Sequence, residues 1–453
     1  LKRNISTELD AWLKNSHRPP LILRGARQVG KTWLVRDLAK RHGLELIELN
    51  FERDPIHQKA FGDNDPKAIV KRLCLLLSKT IVPEKSILFL DEIQAFGEGL
   101  AKLRWFHEEM PELPVIAAGS LLEFTLRDHN FSMPVGRVTF LNLEPISFDE
   151  YLKAHEETLL LEQLGNWTPN QLLDEIVHEQ AIKWQHRYSM VGGMPGIIIR
   201  ELSGASPEQL RQAQQDLLAT YRADFPKYEG RMSALALDQL LRAVARDMGQ
   251  KFVYTKVDEG LKNHQAKHAL DLLSQARLCH VVHCSSANGI PLGCELKEKS
   301  RKVCLLDLGM LHALLETPAR GAFPELTDLT PAMRARISEQ FASQSIRLLS
   351  DNRTEPAKLW YWQRGGGRPG EIDHLLQMDQ RIIPLELKAG PTGSMKSLHQ
   401  FMAEKNLSLA LRIDTSPPGK QNVAVKTTHG EDVAYRLINL PLYLLWNLRT
   451  ILD

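Results

Sequence analysis

The chain has 453 residues, 43% hydrophobic and 25% charged, an ordinary balance for a globular protein and more chain than one hydrophobic core usually holds. Its 57 lysines and arginines nearly cancel 55 aspartates and glutamates, so no bulk charge draws it to nucleic acid or to a membrane, and any such partner has to be argued from local patches. Five cysteines are few and odd in number, no run of 18 apolar residues occurs, and Leu1-Lys2-Arg3-Asn4-Ile5 lacks the apolar stretch of a signal peptide, so a disulfide framework and a membrane span are excluded and a cytoplasmic location is expected.

Pro20-Leu21-Ile22-Leu23 is a short buried-strand signal, and Thr32-Trp33-Leu34-Val35-Arg36-Asp37-Leu38-Ala39 takes up helical periodicity. Between them lies Gly25-Ala26-Arg27-Gln28-Val29-Gly30-Lys31-Thr32, a complete phosphate-cradling loop. Its glycines let backbone N–H groups turn inward onto phosphate oxygens, and the helix start adds the positive end of its dipole. Lys31 would reach the β- and γ-phosphates of ATP, and Thr32 would ligate Mg²⁺.

A second strand is expected over 44–49, and another over 86–92, where Ser86-Ile87-Leu88-Phe89-Leu90 ends in Asp91-Glu92. An apolar run without alternation suits a central parallel strand buried on both faces, and acids at its C-terminal end sit where open α/β sheets bind ligands. Asp91 would hold Mg²⁺ through water and Glu92 would polarise the attacking water. A further such strand is expected over 114–120, and it delivers Ser120 to the same edge, as a γ-phosphate sensor or as a helix cap. Arg137, before the strand 138–141, is a candidate arginine finger acting between subunits, which would make the protein a homo-oligomer; the alternative is a solvated surface arginine.

GARQVGKT, ILFLDE, AAGS and then GRVTFLNLEPISFDEY together resemble the AAA+ superfamily, in particular prokaryotic ATPases that couple this domain to a C-terminal domain of unknown function. The resemblance implies an ATPase core and an ordered C-terminal half. It also makes Val191-Gly192-Gly193-Met194-Pro195-Gly196, which has no lysine or serine/threonine after it and reads as a turn, a hinge between the ATPase and effector parts.

From 235 the pattern changes to short helices over 237–248, 255–261 and 265–276, a strand over 278–283 and a turn at Asn288-Gly289. Three helices and a hairpin make a winged-helix-like unit, and Lys256, Lys262, His264, Lys267 and His268 on its later helices suit contact with DNA; a protein-interaction module with a solvated basic face is the alternative. Cys279, Cys284, Cys294 and Cys304 lie near His280 and His283, but without the close Cys-x-x-Cys knuckles of structural zinc they read as buried thiols.

Further along, Gly370 to Lys388 reads as a hairpin about Asp379-Gln380, in which residues whose numbers sum to 759 lie opposite one another. Asp373 then faces Glu386, and Glu371 faces Lys388. Like charges directly opposite are destabilising unless a cation reaches them. The spacing resembles the Asp...Glu-x-Lys centre of the restriction-endonuclease-like PD-(D/E)XK superfamily, which implies Mg²⁺ on Asp373 and Glu386, Lys388 assisting a water, and an added acid, Glu339, from the helix expected over 332–349. Arg353, Lys358, Arg364 and Arg368 interleave with Trp360, Tyr361 and Trp362, a mix suited to a nucleic-acid backbone unless the aromatics are core residues.

The expected fold class is thus α/β: an AAA+-like P-loop NTPase parallel sheet over 1–145, a helical lid or linker over 146–234, a winged-helix-like unit over 235–318 and a restriction-endonuclease-like α/β domain over 319–453. The expected activity is Mg²⁺-dependent ATP hydrolysis that drives or gates a C-terminal half acting on DNA. The alternative is an ATP-gated switch or scaffold recognising a protein partner. A small-molecule kinase shares the loop, but Asp91-Glu92 points to water as the acceptor.

Overall fold

The computed structural model describes residues 1–120, 122–127, 136–228, 232–350, 352–365, 370–388, 390 and 394–452, which leaves Arg368 outside the described residues. The chain forms two compact units, the first made of Leu1–Pro145 with Gln275–Arg277 and Asp351–Pro356, the second of Ile146–Ser274, Leu278–Ser350 and Ala357–Asp453.

In the first unit β1 (Leu21–Arg24), β2 (Glu45–Asn50), β3 (Ser86–Asp91), β4 (Val115–Ala118) and β5 (Thr139–Asn142) form one sheet in the order β2-β3-β4-β1-β5. Every pairing is parallel. The apolar strands predicted from sequence therefore hold: β3 and β4 are buried along their whole length, and Ile22, Ile47, Leu49, Leu88, Leu90 and Ala117 share a core with Phe51 and Phe106. Since all strands run the same way, their C-terminal ends lie on one edge, and that edge carries the loop 25–30 and Asp91.

The second unit contains an eight-stranded sheet. Its strands are β6 (Cys279–Ser285), β7 (Leu296–Leu305), β8 (Leu359–Gln363), β9 (Glu371–Met378), β10 (Arg381–Leu387), β11 (Leu409–Ile413), β12 (Gly419–Lys426) and β13 (Asp432–Leu440). They are ordered β12-β13-β11-β10-β9-β8-β6-β7. The hairpin β9/β10 has the expected register, with Met378 opposite Arg381 and His374 opposite Leu385. Asp379 takes the left-handed turn conformation at φ 52°.

Several expectations change. The hairpin β6/β7, read as part of a separate unit over 235–318, joins the sheet of the following segment through a parallel pairing of β6 with β8. The helix expected over 255–261 is only a short 3₁₀ turn at Tyr254–Lys256, because Asp258 turns its carboxylate onto the Gly260 N–H at 2.8 Å and that local bond competes with a helix. Tyr361 and Trp362 are core residues, 0% and 3% exposed, and Trp362 packs edge-on against Phe401 with centroids 4.8 Å apart. Strand β8 is interior, flanked by β9 and β6, so these two rings offer no stacking surface to a nucleic acid.

The Gly192-Gly193 element is not a loose hinge. It follows the helix Glu175–Val191 inside the second unit, and the Gly193 N–H donates to Asp307 Oδ1 at 2.6 Å. A Cβ on Gly193 would lie 2.4 Å from the Ile146 carbonyl oxygen, and one on Gly192 2.3 Å from Asp307 Oδ2, so glycine is there to let segments touch.

Beside this element His312 is 0% exposed, and its Nε2 lies 2.9 Å from the Ser189 carbonyl while Nδ1 lies 3.0 Å from Thr317 Oγ1. A carbonyl only accepts, so Nε2 carries the hydrogen and Nδ1 accepts from the hydroxyl, which describes a neutral ring. Burial first, and Arg211 second, push its pKa down to about 3. A depressed folded-state value means that the unfolded chain takes up a proton the folded one refuses, so stability is intact above the ordinary value of 6.5 and falls as pH drops below it. In an acid titration of unfolding free energy, His312→Gln is expected to remove about one proton from the slope between pH 6.5 and 4.

Candidate functional site

The phosphate-cradling loop joins β1 to the helix Lys31–His42. Gly25 at φ 148°, Gln28 at φ 65° and Gly30 at φ 99° bend it through backbone conformations that favour glycine. Lys31 is 9% exposed, and its ammonium donates to the carbonyls of Gly25 and Ala26, both at 2.9 Å. Carbonyls satisfy its hydrogens without cancelling its charge. Burial therefore pulls Lys31 down to about 8, against the opposite pull of Glu92 and Asp91, with Arg27 and Arg277 adding repulsion. An anion brought into the loop would relieve that imbalance, so the residues present fit a nucleotide phosphate.

Asp91, at the end of β3, faces the loop. Its Oδ2 accepts from Thr32 Oγ1 at 3.3 Å and from Asn50 Nδ2 at 3.4 Å, while Oδ1 accepts the Glu92 N–H at 3.1 Å. Burial, then Glu92, raise its carboxyl above the ordinary value. A buried acid held near a hydroxyl is a fit place for a divalent cation arriving with the phosphates. Glu92 sits at φ 50°, and its Oε2 accepts from Gln94 Nε2 at 2.5 Å and from Ser120 Oγ at 3.4 Å.

The structure thus brings Lys31, Thr32, Asp91, Glu92 and Ser120 to one sheet edge. Arg137 is elsewhere engaged: it is 46% exposed and its Nε lies 2.8 Å from Glu108 Oε1. Sequence reasoning missed Asn50, Gln94 and Arg277. Asn50 was findable, as the last residue of β2 paired in register with Asp91. Arg277 was not: it is 7% exposed in the first unit, bound at 2.8 Å to both Glu123 Oε1 and Asn142 Oδ1, although 135 or more residues separate it from either in sequence.

The second constellation lies in the second unit. Asp373 Oδ2 accepts the Leu387 N–H at 2.8 Å, and Glu386 Oε1 accepts from Lys388 Nζ at 2.7 Å. Among the described residues Glu386 Oε2 is buried without a hydrogen-bond partner, and burial, then Asp373, push this carboxyl up to about 7. Glu339 stands on the helix Pro331–Leu348, as expected, and reaches His374 Nε2 at 3.5 Å. Glu371 does not meet Lys388. It pairs at 2.7 Å with Lys302 of β7, a residue that sequence reasoning passed over and that also lies 3.4 Å from Asp373 and 3.6 Å from Glu339. Among the described residues, no three histidine, cysteine or acidic side chains converge in an arrangement that could hold a metal ion. Cys279, Cys284 and Cys304 are buried, as expected, whereas Cys294 is exposed.

Comparison with known proteins agrees with the first site. Residues 17–152 match the AAA domain family, residues 182–326 a domain of unknown function (DUF8612), and residues 334–443 a second domain of unknown function (DUF4143). The match to the AAA domain family spans the segment that carries the phosphate-cradling loop and the Asp91-Glu92 pair. No curated protein matches the sequence. Among solved structures, a Walker-type ATPase of Pyrococcus abyssi is 15% identical over 69% of this chain and 95% of that one, with a TM-score of 0.42. The ORC2 protein of Aeropyrum pernix, solved as ADPNP-ADP complexes, is 15% identical over 70% and 93%, with a TM-score of 0.35. The ORC1 protein of Aeropyrum pernix in complex with DNA is 15% identical over 70% and 91%, at 0.27.

The loop tolerates little. A Cβ on Gly25 would lie 2.5 Å from the backbone oxygen of Leu143, at a φ that side chains avoid. Gly25→Ala is expected to cost about 2–4 kcal/mol of stability through strain and overpacking. It should also abolish nucleotide binding, as thermal unfolding with and without ATP will read.

Proposed function

We propose that this chain is a Mg²⁺-dependent ATPase whose nucleotide cycle gates a DNA-binding C-terminal half. The observation that carries the first part is the buried Lys31 ammonium, held by the Gly25 and Ala26 carbonyls at the edge where Thr32, Asp91 and Glu92 also stand. ATP phosphates entering the loop would exchange these carbonyl contacts for charged ones. Mg²⁺ arriving with them, held by Thr32 and through water by Asp91, would neutralise charge on the phosphate oxygens. Glu92 then orients water and accepts its proton, and the Gln94 and Ser120 hydrogen bonds fix the direction of its carboxylate.

For the C-terminal half, the strand order favours an endonuclease-like fold. From β8 to β11 the chain runs through two antiparallel pairings and then a parallel one after the helix Lys396–Lys405, with Asp373, Glu386 and Lys388 on the middle strands or just past their ends. A basic face supports DNA as the partner. Lys256, Lys262, His264, Lys267 and His268 are all exposed, and the last three recur at one-turn spacing on the helix Asn263–Gln275. A protein partner is the second reading, favoured only if this face proves indifferent to DNA.

Two experiments test these parts separately. In steady-state ATP hydrolysis, Lys31→Ala is expected to lose nucleotide binding, whereas Glu92→Gln should bind ATP and hydrolyse it at least about a hundredfold more slowly. Equal turnover by Glu92→Gln and the parent would overturn the assigned role. In DNA retention assays at fixed salt, Lys262→Glu with Lys267→Glu is expected to weaken binding at least about tenfold and to flatten its salt dependence. Failure of the parent to bind single- or double-stranded DNA in any nucleotide state would sink the DNA reading.

A further inference from the structure

Lys302 belongs to the buried end of β7, where Lys302, Val303, Cys304 and Leu305 are all buried. It is 2% exposed, yet it is surrounded by charge. Its Nζ lies 2.7 Å from Glu371 Oε1, 3.4 Å from Asp373 Oδ1 and 3.6 Å from Glu339 Oε1, and 5.4 Å from the centroid of the Tyr361 ring. The three acids come from β9 and from the helix Pro331–Leu348, and each of them reaches the same ammonium.

We propose that the Lys302 ammonium fills the endonuclease-like centre in place of a divalent cation, so that these carboxylates are held by the chain's own charge and the centre is complete without metal. This rests on the endonuclease-like reading of the C-terminal half given above. Three carboxylates grouped about one buried ammonium repel each other, and the ammonium between them offsets that repulsion. Mg²⁺ demands oxygens at about 2.0–2.1 Å in near-octahedral array and keeps several waters. An ammonium only 3.4 Å from Asp373 takes the volume that a hydrated ion would need. Glu386, the remaining acid of the motif, already has one oxygen on Lys388. The C-terminal half then binds DNA without hydrolysing it through Mg²⁺.

Removing the ammonium should uncover the site it fills. The experiment uses the nucleotide-free full chain carrying Lys31→Ala, so that the phosphate loop contributes nothing, and follows Mn²⁺ binding by electron paramagnetic resonance and by thermal unfolding. The parent is expected to bind no Mn²⁺ that Asp373→Asn removes. Lys302→Ala should unfold at lower temperature, gain one Mn²⁺ site at least tenfold tighter than any in the parent, recover its midpoint with Mn²⁺, and lose the site again when Asp373→Asn is added. If Lys302→Ala does not fold, Lys302→Gln combined with Glu371→Gln removes one charge of each sign and serves the same comparison. A Mn²⁺ site in the parent that depends on Asp373, or no gain in a folded Lys302 variant, overturns the proposal. Failure of the DNA reading would appear in the retention assay and leave the Mn²⁺ outcome untouched.

Discussion

An ammonium buried away from water has to find acceptors for its N–H groups, and this chain supplies them in two opposite ways. Lys31 is nearly closed over, and among the described residues its hydrogen-bond acceptors are the Gly25 and Ala26 carbonyls, so its charge is not cancelled. Lys302 is more deeply buried and has three carboxylates within 3.6 Å, which hold it firmly protonated in spite of burial. The first is an uncancelled positive charge at the phosphate loop. The second is a site whose counter-charge is already built in.

The architecture around each lysine follows from that difference. In the first unit, parallel strands present all their C-terminal ends to one edge, so the loop after β1 and the acids after β3 meet without any long-range accident. Asn50, Gln94 and Ser120 then restrain the two acids by hydrogen bonds at 2.5–3.4 Å, which fixes the direction of their carboxylates. In the second unit, antiparallel neighbours put Asp373 and the end of β10 side by side, and the added hairpin β6/β7 brings a cation from outside the hairpin motif.

The sheet of the second unit also explains why its sequence looked like two domains. A hairpin that follows helices, as β6/β7 follows 263–275, has the local pattern of a winged helix whatever its edge pairs with. Local periodicity reports which face of a strand is buried and is silent about which strand lies beside it. The pairing of Val282 with Leu359 and His283 with Trp360 unites segments that are far apart in the chain.

The sequence by itself determined the phosphate loop, the five strands around it, the acids Asp91 and Glu92, and the 759 register of the β9/β10 hairpin, because each is a local pattern of glycine placement, apolar runs or turn chemistry. Only the tertiary structure decided what those residues touch. Arg277 entered the first unit, Tyr361 and Trp362 became core rather than contact surface, and Glu371 turned from Lys388 to Lys302. The physical reason is that a buried charge chooses its partner by proximity in space, and nothing within a few residues of Lys302 announces three acids that lie 37 or more positions further along the chain.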